Sequence, residues 1–142
     1  MPFLTKGSRP MDSKKRDFCI LQILCLQGAM KKLSKNTVAY AKNMLGVKKL
    51  KWDNLDDWRS KRSDILIDLA YFKMYVNDLA HENLTLFHAE FFHLFSESIE
   101  TYLYSADFTE RNTTNILIIM EKSQFLEEHL MILMQRIVRE EI

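Results

Sequence analysis

Glycine and proline, the residues that most often mark turns, are scarce in this chain. Among 142 residues there are three Gly and two Pro, and both prolines lie within the first ten positions. All-β domains need many turns, so this scarcity argues against a β-sandwich or a β-barrel. Apolar residues make up 47% of the chain, which is enough for a packed core. The composition therefore predicts an all-α protein, a compact antiparallel bundle of four to five helices with no β-sheet.

Cysteine is also rare. Cys19 and Cys25 are the only two, and their separation along one predicted helix is too large for a disulfide. The mainly apolar run from Phe18 to Met30 is interrupted by Gln22 and Gln27 and is shorter than the about 20 residues that a membrane span needs. We therefore expect neither a membrane span nor a targeting role for this run, and a reducing, cytoplasmic location.

Motifs for catalysis and cofactor binding are missing from the sequence. There is no Gly-x-Ser-x-Gly, no glycine-rich phosphate loop, and no Cys beside a His. Glu90 and His93, near His81 and His88, match one Glu-x-x-His unit of di-iron helical bundles, but no Glu stands three residues before His129 to give the second unit. We predict no catalytic residue, no metal ligand and no cofactor, and we keep a metal-binding bundle as an alternative function.

The two signs of charge are unevenly distributed along the chain. The net charge is +1, yet residues 1–52 hold 12 Lys and Arg against 2 Asp and Glu, whereas residues 53–142 hold 8 against 17. We interpret residues 1–11 as a flexible tail and residues 12–142 as one helical-bundle domain, basic over 14–52 and acidic over 53–142. The two regions either attract each other within the fold or meet external partners.

Seven lysines in the basic region form a candidate surface for an anionic partner: Lys31, Lys32, Lys35, Lys42, Lys48, Lys49 and Lys51. Lysine attracts phosphate but is less suited than arginine to bidentate recognition of bases. The run from Ala41 to Val47 resembles the Ala-x-x-Leu-Gly-Val turn of helix-turn-helix domains, with one additional residue before the leucine. The resemblance implies an alternative function, a nucleic-acid-binding regulator that uses residues 14–51 and dimerises through its later helices.

The spacing of apolar residues predicts five helices, A over about 13–30, B over 35–45, C over 55–80, D over 84–105 and E from about 108 onward. Helix A is apolar around nearly its whole circumference, which predicts a buried helix. Gly28 lies near the predicted end of helix A, and Ser34 and Gly46 suit the two caps of helix B. Helices C and E carry stripes at heptad spacing, and more than half of the surface of helix D is apolar, so helix D should contact two neighbours.

A second stripe on helix C combines carboxylates with tyrosines: Asp64, Asp68, Tyr71, Tyr75, Asp78 and Glu82. It is either an acidic, aromatic docking surface or an ordinary solvent-exposed face. With no catalytic constellation present, the sequence favours a small non-enzymatic adaptor or regulatory protein that binds another protein. Homodimerisation is a variant of the same prediction, because the apolar surface is large for a chain of this size.

Overall fold

The computed structural model describes residues 12–45, 55–105 and 110–140. They form four α-helices, α1 Ser13–Leu45, α2 Leu55–Ala80, α3 Ala89–Tyr104 and α4 Glu110–Val138. Each helix packs against two neighbours around a ring in chain order, with α4 beside α1. Since these residues contain no strand and their helices pack against one another, the prediction of an all-α bundle is confirmed.

Neighbouring helices run antiparallel. Arg16, near the start of α1, forms an ion pair with Glu140, just beyond the end of α4. Tyr40, near the end of α1, packs edge-on against Trp58, near the start of α2, with ring centroids 5.9 Å apart. The core lies between the helices and is built mainly from leucine, isoleucine, methionine and aromatic side chains.

The prediction of two separate helices, A and B, is wrong, because α1 is continuous. Leu33, in the segment interpreted as a link, is fully buried, and Ser34, interpreted as a cap, lies within the helix. A buried side chain recurs every three or four residues along the whole of α1, which makes one core-facing stripe: Cys19, Ile23, Leu26, Met30, Leu33, Thr37, Tyr40 and Met44. Burial of this stripe outweighs the about 1 kcal/mol by which a glycine inside a helix is less favourable than alanine.

The prediction that helix A is buried all round is also wrong. Phe18, Leu21 and Leu24 are 40%, 56% and 50% exposed. Because a helix in a four-helix bundle has neighbours on one side only, the opposite face meets solvent whatever residues it carries. The N-terminal half of α1 therefore presents apolar side chains on both its inner and its outer face.

Gly28 offers a test of the continuous α1. A Cβ atom added at this position would meet nothing within 4 Å. We expect Gly28→Ala to raise the free energy of unfolding by about 0.5–1 kcal/mol, since alanine is the better helix former and no neighbour has to move. Urea unfolding followed by circular dichroism measures the change. A decrease in stability would show that Gly28 stands at the break in the helix that the sequence suggested.

The remaining boundaries are closer to those predicted. Helix C is found as α2 with the predicted bounds, 55–80. Helix D begins five residues later than expected, because Leu84 to His88 form a turn in which the Phe87 N–H donates to the Leu84 carbonyl. Leu84 and Phe87 are buried although they are not helical, which explains why their pattern resembled a helix. The predicted tail, residues 1–11, and the first residues of helix E lie outside the described residues.

None of the described helices combines the length and the apolar character needed to cross a membrane.

Candidate functional site

The predicted lysine surface divides into three groups. Lys31, Lys35 and Lys42 are exposed on α1. Lys32 is exposed too, but its Nζ lies 3.4 Å from Oδ1 of Asp68 on α2. The other three predicted lysines, Lys48, Lys49 and Lys51, lie outside the described residues. The described part of this surface is thus a short row of lysines on one helix, one of which reaches toward the acidic region of the chain.

Asp68 is buried between α1 and α2, with a side chain that is 8% exposed. Its Oδ2 accepts a hydrogen bond of 2.8 Å from Nδ2 of Asn36. A buried carboxylate needs such partners, since removing it from water without them costs several kcal/mol. The basic and acidic regions therefore do attract each other at this point, and Asp68 contributes to the packing of α1 on α2 instead of facing solvent.

The carboxylate–tyrosine stripe is divided by this packing. Asp64 and Tyr71 are exposed, whereas Tyr75, Asp78 and Glu82 are partly buried. A cleft of about 420 Å³ between α1 and α2 contains part of the stripe together with one of the predicted lysines; it is lined by Cys25, Gly28, Ala29, Lys32, Asp68, Tyr71 and Tyr75. The structure thus brings together members of two sets that the sequence treated separately. Asp78 and Glu82 do not line this cleft, and Asp64 lines a smaller one beside Tyr40 and Lys61.

A larger apolar groove, of about 790 Å³, lies between α3 and α4. Its exposed apolar side chains are Phe91 and Leu94 of α3 and Phe125 of α4, with 53%, 59% and 79% of their surface accessible. Phe95, Ile119 and Leu126 lie deeper in the groove. Aromatic side chains of this size bury 150–250 Å² each when covered, so leaving two of them in water is a substantial cost. This groove is the most prominent apolar opening among the described residues.

The groove continues toward the other end of α3. A second cavity of about 410 Å³ shares Leu94, Ser98 and Ile119 with the first and adds polar side chains, among them Thr101 and Asn115. Because a helix rises 1.5 Å per residue, the 16 residues of α3 span about 24 Å. The joined groove is thus long enough for several turns of a bound helix.

The groove residues were not among the predicted site residues. The apolar surface of helix D indicated two neighbours, and α3 does contact α2 and α4, but more than half of the surface of Phe91 and of Leu94 stays exposed. Phe125 offered a readable signal, because it stands one position off the core stripe of helix E, among charged residues. An aromatic residue at such a position is a recognised mark of a binding surface.

Two histidines approach each other at one end of this groove. The rings of His88, just before α3, and His129 of α4 have centroids 5.5 Å apart, and His129 also lies against the ring of Phe92. Burial and the nearby His88 lower the pKa of His129, while a hydrogen bond with the backbone of Leu86 acts in the opposite direction. Among the described residues no three His, Cys, Asp or Glu side chains are grouped so that they could hold a metal ion.

The lowered pKa of His129 predicts a pH-dependent stability. Below its ordinary pKa of 6.5, the unfolded chain binds a proton at this histidine more readily than the folded chain does, so acidification favours unfolding. We expect His129→Gln to reduce the loss of unfolding free energy between about pH 7.5 and about pH 5.5. Urea unfolding at the two pH values measures it, with the exposed His81→Gln as control. An unchanged pH dependence in His129→Gln would contradict the prediction.

Comparison with known proteins gives no relative: no family model, no curated protein and no solved structure matches the chain.

Proposed function

We propose that this protein is a non-enzymatic adaptor or regulatory protein that binds another protein through the groove between α3 and α4. The observation that carries the proposal is the exposure of Phe91, Leu94 and Phe125 along one apolar opening. Isolated exposed apolar residues are ordinary, but a contiguous patch bordered by polar residues is typical of interaction surfaces. A groove between two antiparallel helices is suited to an amphipathic helix laid along it.

The α1–α2 cleft is the weaker candidate surface for the same function. Tyr71 is 55% exposed and supplies contact area, but the carboxylate beside it, Asp68, is buried and already accepts a hydrogen bond from Asn36. A charged group that already has hydrogen-bond partners inside the fold contributes little to the affinity for a partner protein. This cleft therefore serves as the comparison surface in the experiment below.

Nucleic-acid binding has narrower support. Lys31, Lys35 and Lys42 are exposed on α1 at spacings of four and seven residues, so they lie near one helix face and favour an anionic partner. Lysines of this kind attract phosphate without reading sequence. This function requires retention on heparin that falls steeply with salt, and absence of retention at low salt would exclude it.

Substitution of one groove residue tests the proposed function. The immobilised chain is exposed to an extract of its native host, and the captured proteins are quantified for the wild type, Phe125→Glu, Tyr71→Glu and Ile67→Glu. Ile67 is 56% exposed on α2 and lines neither the groove nor the cleft, so it is the matched control.

A buried interface aromatic contributes about 2 kcal/mol or more, so we expect Phe125→Glu to lower capture of a specific partner at least tenfold. Tyr71→Glu and Ile67→Glu should retain it, with all variants equally folded by circular dichroism. Undiminished capture by Phe125→Glu would refute the groove as the binding surface. Loss confined to Tyr71→Glu would assign the function to the α1–α2 cleft instead.

A further inference from the structure

The two walls of the α3–α4 groove share one pattern of charge. On α3, Leu94 has Glu90 four residues before it and Glu97 three residues after it. On α4, Phe125 has Glu121 four residues before it and Glu128 three residues after it. Residues three and four apart are neighbours on a helix surface, so each exposed apolar side chain has a carboxylate on either side along its helix.

These four glutamates are accessible to a partner. All four are exposed; Glu121 and Glu128 line the groove itself, and Glu97 lines its continuation. The two glutamates on each helix are seven residues apart, about 10 Å along the helix axis. Among the described residues, Lys122 is the only lysine or arginine that lines the groove or its continuation. The opening is therefore apolar along its middle and acidic along both edges.

This arrangement selects among apolar segments by charge. A helix whose apolar stripe fills the groove brings the residues that flank that stripe over the glutamates of α3 on one side and those of α4 on the other. Acidic flanks would be repelled on both sides, and neutral flanks would leave the carboxylates to water. Basic flanks gain attraction on both sides and raise the rate of encounter.

We infer that the α3–α4 groove takes an amphipathic helix of a partner protein whose apolar stripe is bordered on both sides by lysine or arginine. The inference rests on the proposed function, because it names the class of segment that the same groove binds. Long basic side chains suit this position, since their aliphatic stems extend the apolar contact while their charged ends reach the carboxylates.

Two synthetic peptides of about 14 residues test the inference. Both carry leucine at three- and four-residue spacing; one has lysine on both flanks of the leucine stripe and the other has glutamate. Binding of each fluorescein-labelled peptide is measured by fluorescence anisotropy at about 50 mM salt, where exposed charges are weakly screened. The protein is the full chain in four forms, the wild type, Phe125→Glu, Glu97→Lys/Glu128→Lys, and the control Asp17→Lys/Asp64→Lys, whose two exposed carboxylates lie on α1 and α2. The two double variants change the net charge equally.

The expected result is a wild-type preference for the lysine peptide of at least about tenfold, because several exposed ion pairs, each weak by itself, act together. Glu97→Lys/Glu128→Lys should lower the affinity for the lysine peptide by about tenfold and raise the affinity for the glutamate peptide. The Asp17→Lys/Asp64→Lys control should keep the wild-type preference. Phe125→Glu should reduce binding of the lysine peptide at least tenfold, since its ring lines the groove.

Other outcomes overturn the inference. Equal binding of both peptides, lost in Phe125→Glu, would show a groove without charge selection; the proposed function would then stand and this inference would fail. If the lysine peptide still binds Phe125→Glu, the peptide lies elsewhere on the acidic surface. If the wild type does not bind the lysine peptide at all, the inference that the groove takes a helix with basic flanks is wrong. If the wild type alone sediments as an oligomer that Phe125→Glu converts to a monomer, the occupant is a second copy of this chain.

Discussion

Phe72→Ala is expected to lower the free energy of unfolding by about 3–5 kcal/mol, which is a large part of the 5–15 kcal/mol that stabilises a typical domain. Phe72 is fully buried on α2, and its ring centroid lies 5.7 Å from that of Phe95 and 6.4 Å from that of Phe92 on α3. The substitution removes the apolar contact of the ring and leaves a cavity between two helices that cannot fully close.

Urea unfolding followed by circular dichroism measures this loss, and Phe125→Ala is its matched control. The same atoms are removed on a helix, but Phe125 is 79% exposed, so we expect a change within about 0.5 kcal/mol. The pair separates aromatic residues that hold the bundle together from those left free for a partner. Comparable losses in both variants would mean that Phe125 is covered within the fold and that the open α3–α4 groove does not exist.

Leu33→Ala is expected to cost about 2–5 kcal/mol of unfolding free energy. Leu33 is fully buried in the middle of the stripe on α1, where the sequence predicted a link between two helices. A leucine in an exposed link would cost less than about 0.5 kcal/mol when truncated, so the two interpretations differ by a readily measured amount.

The control for Leu33→Ala is Leu24→Ala, on the same helix and 50% exposed. We expect Leu24→Ala to lower the free energy of unfolding by less than half as much as Leu33→Ala, because only part of the Leu24 side chain is buried in the folded chain. If both variants lose equally little stability, α1 is not one continuous helix packed along its whole length against its neighbours. Together with Gly28→Ala, these variants examine the longest helix of the bundle at three successive points.

The fold class and the course of α2 could be predicted because they depend on patterns within single segments. The sequence predicts a core-facing stripe on helix C of seven residues, Leu55, Trp58, Ile65, Leu69, Phe72, Val76 and Leu79. The last six are buried, and the side chain of Leu55 lies outside the part of the chain that the structure describes. Helix α1 was divided wrongly because Gly28 and Ser34 are local signals for an end and a start. Such signals are worth about 1 kcal/mol each, and burial of a continuous stripe across several turns exceeds them.

The candidate site was harder to predict, since it depends on how neighbouring helices are rotated and aligned against each other. The sequence pattern assigns Asp68 to a solvent-facing stripe, and only the register of α1 against α2 brings Nδ2 of Asn36 to 2.8 Å from its Oδ2. An antiparallel bundle with short connections already predicts that α3 and α4 lie side by side, but no periodicity within either helix specifies that their packing leaves Phe91, Leu94 and Phe125 exposed. The repeated Glu–apolar–Glu spacing around Leu94 and Phe125 was nonetheless present in the sequence and gains meaning once the two helices are adjacent.

The central claim, that the α3–α4 groove is the binding surface, is tested most directly by amide chemical-shift mapping of the wild-type chain titrated with the lysine-flanked peptide. We predict that the largest shifts are confined to α3 and α4, centred on Phe91, Leu94 and Phe125, with small shifts at Tyr71 and Tyr75 of the α1–α2 cleft. Shifts centred on that cleft, or spread evenly over the acidic surface with none at the groove, would contradict the claim.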